Sequence, residues 1–235
     1  MGSLQDALLS YGLKVLIKLL TKDQIQEDGG VTATITGGLT AKDTALISVK
    51  NLPGSVTVML GGRATGKSTL AYRFAQFLDR PTFAVSPQEV PPSWVRRIHL
   101  SQIEEMVGPR TTLICDDLPA YLSNRDYNEE LSMVVERIIP MVRHERQPPE
   151  FPVGEVHLIF CSQTAAQADR YILDCDLAFL KPLGLLAYDI ERPNIKRIYR
   201  SWVDPEFEQR DDVWIKRHAY MISRSWRGIV EINKS

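Results

Sequence analysis

The chain has 235 residues, enough for one large domain with a substantial hydrophobic core. Its 28 basic and 29 acidic side chains leave a net charge of −1, so any contact with nucleic acid must come from local basic patches. Hydrophobic residues make up 44% of the chain, which excludes a globally disordered protein. The three cysteines lie in apolar runs and have no metal-ligand spacing with the four histidines, so we expect reduced core thiols and no zinc site.

The first fifty residues differ in pattern from the rest of the chain. Residues 4–20 predict an amphipathic helix that packs on its own domain or on a neighbouring subunit, with docking on a membrane or capsid surface as the alternative. A Gly- and Thr-rich stretch follows and predicts short strands or a hairpin between Gly29-Gly30 and Gly37-Gly38. Neither a signal peptide nor a transmembrane span is predicted. We therefore expect an N-terminal appendage over residues 1–50, followed by one domain over residues 51–235.

Short apolar runs alternate with helical patterns from residue 51 onwards. Fully apolar strands between helices are typical of a parallel sheet covered on both faces, so an α/β fold is predicted. The predicted strands are 56–60, 82–85, 97–100, 111–115, 156–161 and 177–181, and the predicted helices are 67–78, 101–107, 126–146 and 164–173. Residues 195–202, 216–223 and 228–233 predict antiparallel edge strands, which would give the sheet a β-rich C-terminal end.

The most specific signal is the sequence GGRATGKS, a full match to GxxxxGK[ST] between a strand pattern and a helix pattern. Such a loop curls its backbone N–H groups around a β-phosphate at the positive end of a helix. Lys67 is predicted to reach the β- and γ-phosphates, and the Ser68 hydroxyl to bind Mg²⁺. The motif predicts an ATP site formed by Gly61, Gly62, Arg63, Ala64, Thr65, Gly66, Lys67, Ser68 and Thr69.

Two adjacent acids follow the buried strand pattern TTLIC. A carboxylate at the end of that strand can hold the Mg²⁺ shell, and a second can orient or deprotonate the attacking water. We assign Asp116 to the metal and Asp117 to the water. The alternative is that Asp117 only begins the next loop.

A third buried strand pattern, VHLIFC, is followed by Ser162, Gln163 and Thr164. A polar residue there would lie near the γ-phosphate, where Gln163 could sense hydrolysis. The alternative is that Ser162 or Thr164 caps the helix that follows. Both interpretations can hold together.

The order of these motifs, together with Arg143-His144-Glu145-Arg146 and the segment DCDLAFLKP, resembles the FtsK–HerA superfamily of DNA-pumping ATPases. Within it, the chain looks most like the genome-packaging ATPases of membrane-containing double-jelly-roll viruses. The resemblance covers roughly residues 51–190 and implies a RecA/FtsK-like P-loop NTPase fold.

The resemblance also implies a homo-oligomeric ring, with six members expected, whose ATP sites lie between subunits. Such a ring needs an arginine finger, for which Arg143 and Arg146 are the candidates and Arg110 and Arg170 the rivals. Double-stranded DNA would be the substrate. Capsid vertex, portal or viral membrane proteins would be further partners, in the host cytoplasm or at the virion vertex.

Two basic segments, 192–200 and 216–227, interleave arginines and lysines with aromatic residues. Such segments are typical of a surface that binds the phosphate backbone of a nucleic acid independently of its base sequence. The alternative is that the aromatic side chains enter the core while the charges face solvent.

Two other functions stay open at the sequence level. The first is a P-loop kinase for a small molecule, which would need a lid with several arginines. The second is a phage assembly or toxin-like ATPase. The intact Lys67, Ser68 and paired acids argue against an inactive ATPase.

Overall fold

A computed structural model describes residues 40–86, 90–116, 142, 155–167, 174–184 and 186–231. The strands are β1 Ser55–Leu60, β2 Thr82–Val85, β3 Val95–Arg97, β4 Thr111–Cys115, β5 Val156–Ser162, β6 Leu177–Leu180, β7 His218–Ser223 and β8 Arg227–Glu231. The α-helices are α1 Ala41–Lys50, α2 Lys67–Leu78, α3 Ile103–Met106, α4 Ala187–Ile190, α5 Pro193–Ile198, α6 Asp204–Phe207 and α7 Asp212–Arg217. Short 3₁₀ turns occupy Leu100–Gln102 and Ala165–Gln167, and a π-helical turn occupies Tyr199–Val203.

All eight strands form one sheet in the order β3-β2-β4-β5-β1-β6-β7-β8. The strands from β3 to β6 are parallel, whereas β7 and β8 pair antiparallel at one edge. Every residue of β1, β4 and β5 is buried, which a parallel sheet requires when both of its faces are covered. The predicted α/β fold, with its mostly parallel central sheet, is confirmed.

The two faces of the sheet contribute to separate hydrophobic cores. Along β1, Val56, Val58 and Leu60 pack into one core and Met59 into the other, as the two-residue period of a strand dictates. Helix α2 covers the second face, where the ring of Phe74 meets the ring of Phe179 edge to face at 5.2 Å. Both cores anchor the strand that leads into the predicted phosphate loop.

Residues 41–50 form helix α1, for which the sequence analysis predicts no element. A capping box begins the helix: Asp43 N donates to Thr40 Oγ1 at 3.2 Å, and Thr40 N donates to Asp43 Oδ2 at 3.1 Å. These hydrogen bonds also lower the pKa of Asp43. Ala45 and Val49 pack into the second core. The predicted hairpin near Gly29 to Gly38 and the helix at 4–20 lie outside the described residues, and the division at residue 50 stays a prediction.

Residues 195–202 are helical, so the edge strand predicted there is wrong. Ile195, Ile198 and Tyr199 are all buried and follow the i, i+3, i+4 spacing of a helix face. Pro193 at the first turn suits a helix start. The other two C-terminal strands are confirmed as β7 and β8. The strand expected at 97–100 is Val95–Arg97 instead, and the long helix expected at 126–146 lies outside the described residues.

No helix in the part of the chain that the structure describes is long and apolar enough to cross a membrane.

The buried His157 predicts an acid-sensitive fold. Its side chain is 0% exposed and hydrogen-bonds through Nδ1 to Ser55 Oγ at 2.6 Å. Burial, assisted by the nearby Arg80 cation, lowers the pKa of His157 to about 4 from its ordinary 6.5. At pH values between these two pKa values, His157 binds a proton in the unfolded chain but not in the folded chain. The free energy of unfolding therefore falls as the pH falls, by about 3 kcal/mol at most from this residue.

Urea unfolding of the native protein and of His157→Gln at pH 7.5 and pH 4.5 measures this contribution. We expect the native protein to lose more stability over that range than the variant does. Equal losses in the two proteins would contradict the assignment to His157.

Candidate nucleotide site

The predicted phosphate loop forms the connection between β1 and α2. Gly66 precedes the first residue of α2 and adopts a left-handed backbone with φ of 84°. A Cβ atom on Gly66 would lie 2.8 Å from the carbonyl oxygen of Lys216, so only glycine fits this position. The first N–H groups of α2 have no helical partner and point towards the loop, which makes the loop suited to bind an anion.

Lys67 lies within the curve of this loop. Its Nζ donates to the carbonyl oxygens of Gly61 at 2.7 Å and Gly62 at 2.8 Å. The ammonium is therefore within reach of a phosphate bound by the N–H groups of the loop. This geometry fits the predicted phosphate contact of Lys67.

Asp116 follows β4 at the same edge of the sheet, because the carboxyl ends of parallel strands meet there. It is 4% exposed, and its backbone N donates to Val85 O at 3.0 Å. Strand β5 lies between β1 and β4, so Asp116 stands two strand spacings, about 10 Å, from the strand that leads into the loop.

Cys161 on β5 contacts the Asp116 carboxylate. Burial, reinforced by the charge of Asp116 and by a hydrogen bond to it, raises the pKa of the Cys161 thiol well above its ordinary value. A protonated thiol can donate that hydrogen bond and hold the carboxylate in place. Sequence analysis did not identify this contact, because a cysteine within an apolar strand looks like any other core residue.

The residues present fit Mg²⁺. Among the residues that the structure describes, no group of three or more His, Cys, Asp or Glu could hold a metal ion. Mg²⁺ needs no such group, since it binds one or two protein oxygens together with phosphate oxygens and water. The half-buried Ser68 at the start of α2 and the buried Asp116 supply oxygen ligands of that kind.

Gln163 follows β5, half-buried, between the ends of β1 and β4. The capping function considered for Ser162 or Thr164 is wrong. Ser162 Oγ donates to Thr164 O at 2.9 Å, and within the described residues Thr164 Oγ1 has no hydrogen-bond partner. The first N–H of the following turn, that of Ala165, donates instead to Glu191 Oε2 at 2.7 Å.

Glu191 is therefore a residue that sequence analysis missed. It is 4% exposed and caps a turn that begins 26 residues earlier in the chain. No local spacing connects the two segments. Only the folded chain brings this carboxylate next to the segment that follows Gln163.

Lys181 at the end of β6 was also missed as a site residue. It is 1% exposed, and its burial, together with the nearby cations of Lys67 and Arg73, lowers its pKa to about 7. The signal in the sequence was a lysine directly after an apolar strand, where burial is unusual for this residue type. The cations of Lys67 and Arg73 make the surroundings of the loop electropositive, which suits a triphosphate.

Several predicted residues lie outside the described residues: Asp117, Arg143, Arg146 and Arg170. The rival finger Arg110 is described and lies at the start of β4, whereas Asp116 follows the end of that strand. Its backbone N donates to Glu155 O at 2.9 Å. Arg110 is thus at the opposite edge of the sheet from the phosphate loop of its own chain.

The aromatic residues of the two basic segments pack inward for the most part. Tyr199 is 0% exposed and Tyr220 is 6% exposed, so neither can stack on a base. The Arg227 guanidinium lies over the Trp202 ring, 4.0 Å from the ring centre, in a cation–π contact. These contacts favour the packing interpretation of the aromatic residues. The exposed basic residues of the two segments are Arg197, Arg200, Lys216, Arg217 and Arg224.

No protein-family model matches the chain, and no curated protein sequence matches it. Similar solved structures include complexes of the genome packaging NTPase B204 from Sulfolobus turreted icosahedral virus 2. The complex with AMPPCP is 12% identical, with a TM-score of 0.40, and the match covers 75% of this chain and 97% of that one. The complex with ATP-gammaS is 13% identical, with a TM-score of 0.37, and the match covers 76% of this chain and 96% of that one. The complex with sulfate is 14% identical, with a TM-score of 0.38, and the match covers 76% of this chain and 95% of that one.

These similar structures are of a viral genome packaging NTPase, the class of protein that the sequence resemblance named. The parallel strands of the sheet surround β1, and the Gly61 to Ser68 loop joins β1 to α2. The chain has an α/β fold of the P-loop NTPase kind.

Proposed function

We propose that the protein is an ATPase that moves double-stranded DNA, as a genome-packaging ATPase of a virus does. One observation supports this most: the complete phosphate-loop motif joins β1 to α2, while Asp116 and Gln163 follow β4 and β5 at the same edge of the sheet. The motifs and their order support the translocase class through the resemblance to FtsK–HerA ATPases.

The loop would bind the phosphates of ATP through its backbone N–H groups and the start of α2. Lys67 would exchange its carbonyl contacts with Gly61 and Gly62 for contacts with the β- and γ-phosphates. Ser68 and Asp116 would hold Mg²⁺, which when bound offsets the negative charge that develops on the transferred phosphoryl group.

The attacking water would lie in the space beyond the end of β5. Asp117, the residue after the metal-binding acid, would orient this water and accept its proton. Gln163 would contact the γ-phosphate or the water and change its contact after hydrolysis. Glu191, which caps the turn that follows Gln163, would carry this change to the C-terminal helices.

The active form would be a homohexameric ring in which Arg143 or Arg146 of one subunit reaches the ATP of its neighbour. DNA would pass along the exposed basic residues by phosphate contacts that do not depend on sequence. Capsid vertex, portal or viral membrane proteins would complete the assembly in the host cytoplasm or at the virion vertex.

A triplex-displacement assay tests the translocase activity directly. The protein with ATP should displace a labelled third strand from a DNA duplex, and Lys67→Ala should not. ATP hydrolysis without displacement by the assembled protein would contradict translocation and favour a kinase or an assembly ATPase.

The arginine finger is tested by mixing subunits. Because a finger acts on the neighbouring site, Arg143→Ala subunits should inhibit native rings by more than their share of the mixture. Steady-state ATP hydrolysis over a series of mixing ratios measures this. A loss of activity in simple proportion to the variant fraction would exclude Arg143, and the same series with Arg146→Ala tests the second candidate.

A further inference from the structure

A buried lysine that the proposed chemistry does not use joins two segments near the phosphate loop. The Nζ atom of Lys181 donates to the carbonyl oxygens of Ile215 at 2.6 Å, Lys216 at 3.2 Å and His218 at 2.7 Å. These acceptors lie at the end of α7 and the start of β7, where the last carbonyl groups of a helix lack helical partners. An ammonium has three N–H donors, so each carbonyl can receive one.

The backbone of Lys181 also supports the start of the phosphate loop. A Cβ atom on Gly61 would lie 2.7 Å from the Cβ of Lys181, so the two residues are in close contact. Gly62 N donates to Pro182 O at 2.7 Å. The first two loop residues therefore rest on the end of β6.

The end of the loop rests on the segment that the ammonium binds. A Cβ atom on Gly66 would lie 2.8 Å from the Lys216 carbonyl oxygen, the same oxygen that accepts a hydrogen bond from Lys181. The loop is thus supported at its start by the backbone of Lys181 and at its end by Lys216. The side chain of Lys181 connects the two supports.

We propose that Lys181 is a positioning residue for the nucleotide site, which holds residues 215–218 against the phosphate loop and fixes the loop in the form that binds a triphosphate. Burying an amine costs much free energy unless hydrogen bonds replace its hydration, and the three carbonyl groups provide them. This inference rests on the proposed ATP binding. The substitution of Lys181 that tests it leaves Lys67, Ser68 and Asp116 unchanged.

The first test replaces Lys181 with methionine, which keeps the apolar stem and removes the three donors. We expect the Kd for ATP-γ-S to rise at least about tenfold in a variant that still unfolds cooperatively. Lys50→Met is the matched control. Lys50 ends α1, and its carbonyl oxygen accepts a hydrogen bond from Arg80 Nη2 at 3.4 Å near the start of β2, whereas the loop follows the end of β1. Its Kd should stay within about twofold of the native value.

Amide hydrogen exchange separates a local change at the loop from a general loss of stability, because a general loss would speed exchange in α1 as well. Lys181→Met should speed exchange in the loop, 61–66, and in residues 215–218 together, and leave α1 unchanged. In the unaltered protein, ATP-γ-S should slow exchange at 215–218, because the loop contacts that segment. This last measurement does not depend on the folding of the variant.

The outcomes separate the two proposals. If the native protein does not bind ATP-γ-S, the proposed function is wrong and this inference fails with it. If the native protein binds and a folded Lys181→Met variant binds equally well, only the inference is overturned. Unchanged exchange at 215–218 on ligand binding would overturn it as well.

Discussion

Replacement of Lys67 by alanine is expected to lower ATP turnover about 100- to 1,000-fold, because it removes the cation closest to the transferred phosphate. In the structure the Lys67 ammonium lies within the loop and donates hydrogen bonds to Gly61 O and Gly62 O. Steady-state phosphate release at saturating ATP measures the loss. The Kd for ATP should rise as well, since the same ammonium contacts phosphate in the ground state.

Lys42→Ala is the control for this variant. Lys42 lies in the first turn of α1, outside the phosphate-loop motif, so the change removes one lysine and leaves the loop sequence intact. Its turnover should match that of the native protein. Turnover of Lys67→Ala within about threefold of native would contradict the assignment of this lysine to the γ-phosphate.

Replacement of Asp116 by asparagine is expected to lower Mg²⁺-dependent turnover on the order of 100-fold. Asparagine has the same shape as aspartate and keeps an oxygen that the Cys161 thiol can contact, so the fold should be preserved. The variant loses the negative charge that holds the metal ion. Turnover as a function of Mg²⁺ concentration measures this, and nucleotide binding in the presence of a chelator should be unchanged.

Asp79→Asn is the matched control for this variant. Asp79 ends α2 with a left-handed backbone, φ of 58°, which asparagine adopts readily. The change removes one carboxylate far along the same helix that begins at the loop, and should leave the Mg²⁺ dependence unaltered. A native Mg²⁺ dependence in Asp116→Asn would remove this residue from the metal site.

The sequence was sufficient to predict the phosphate loop and the strand that carries Asp116, because both depend on local signals. A glycine motif between a strand and a helix, or acids after an apolar run, can be recognised without knowing which elements are neighbours. The order of the strands, with β5 between β1 and β4, could not be predicted from any single segment. It follows from packing of the whole sheet.

The capping box of Thr40 and Asp43 marks the start of α1, a helix that the sequence analysis did not predict. The incorrect strand prediction over residues 195–202 has a local cause. The i, i+3, i+4 spacing of Ile195, Ile198 and Tyr199 marks a helix face, although their β-branched and aromatic side chains also suit a strand.

The residues that sequence analysis missed act across long separations in the chain. Glu191 caps a turn 26 residues earlier, and Lys181 binds carbonyl groups 34 to 37 residues later. Neither contact leaves a periodic pattern. A charged side chain at the end of an apolar strand was the available sign for Lys181, and its partners could be identified only in the folded chain.

ATP hydrolysis by the purified protein, with and without double-stranded DNA, tests the central claim most directly. Measurements at low and moderate salt with Lys67→Ala as the blank are expected to show stimulation by DNA that declines as salt rises, because phosphate contacts weaken with salt. Vigorous hydrolysis that is indifferent to DNA at both salt concentrations would contradict the translocase function and leave an ATPase of another kind.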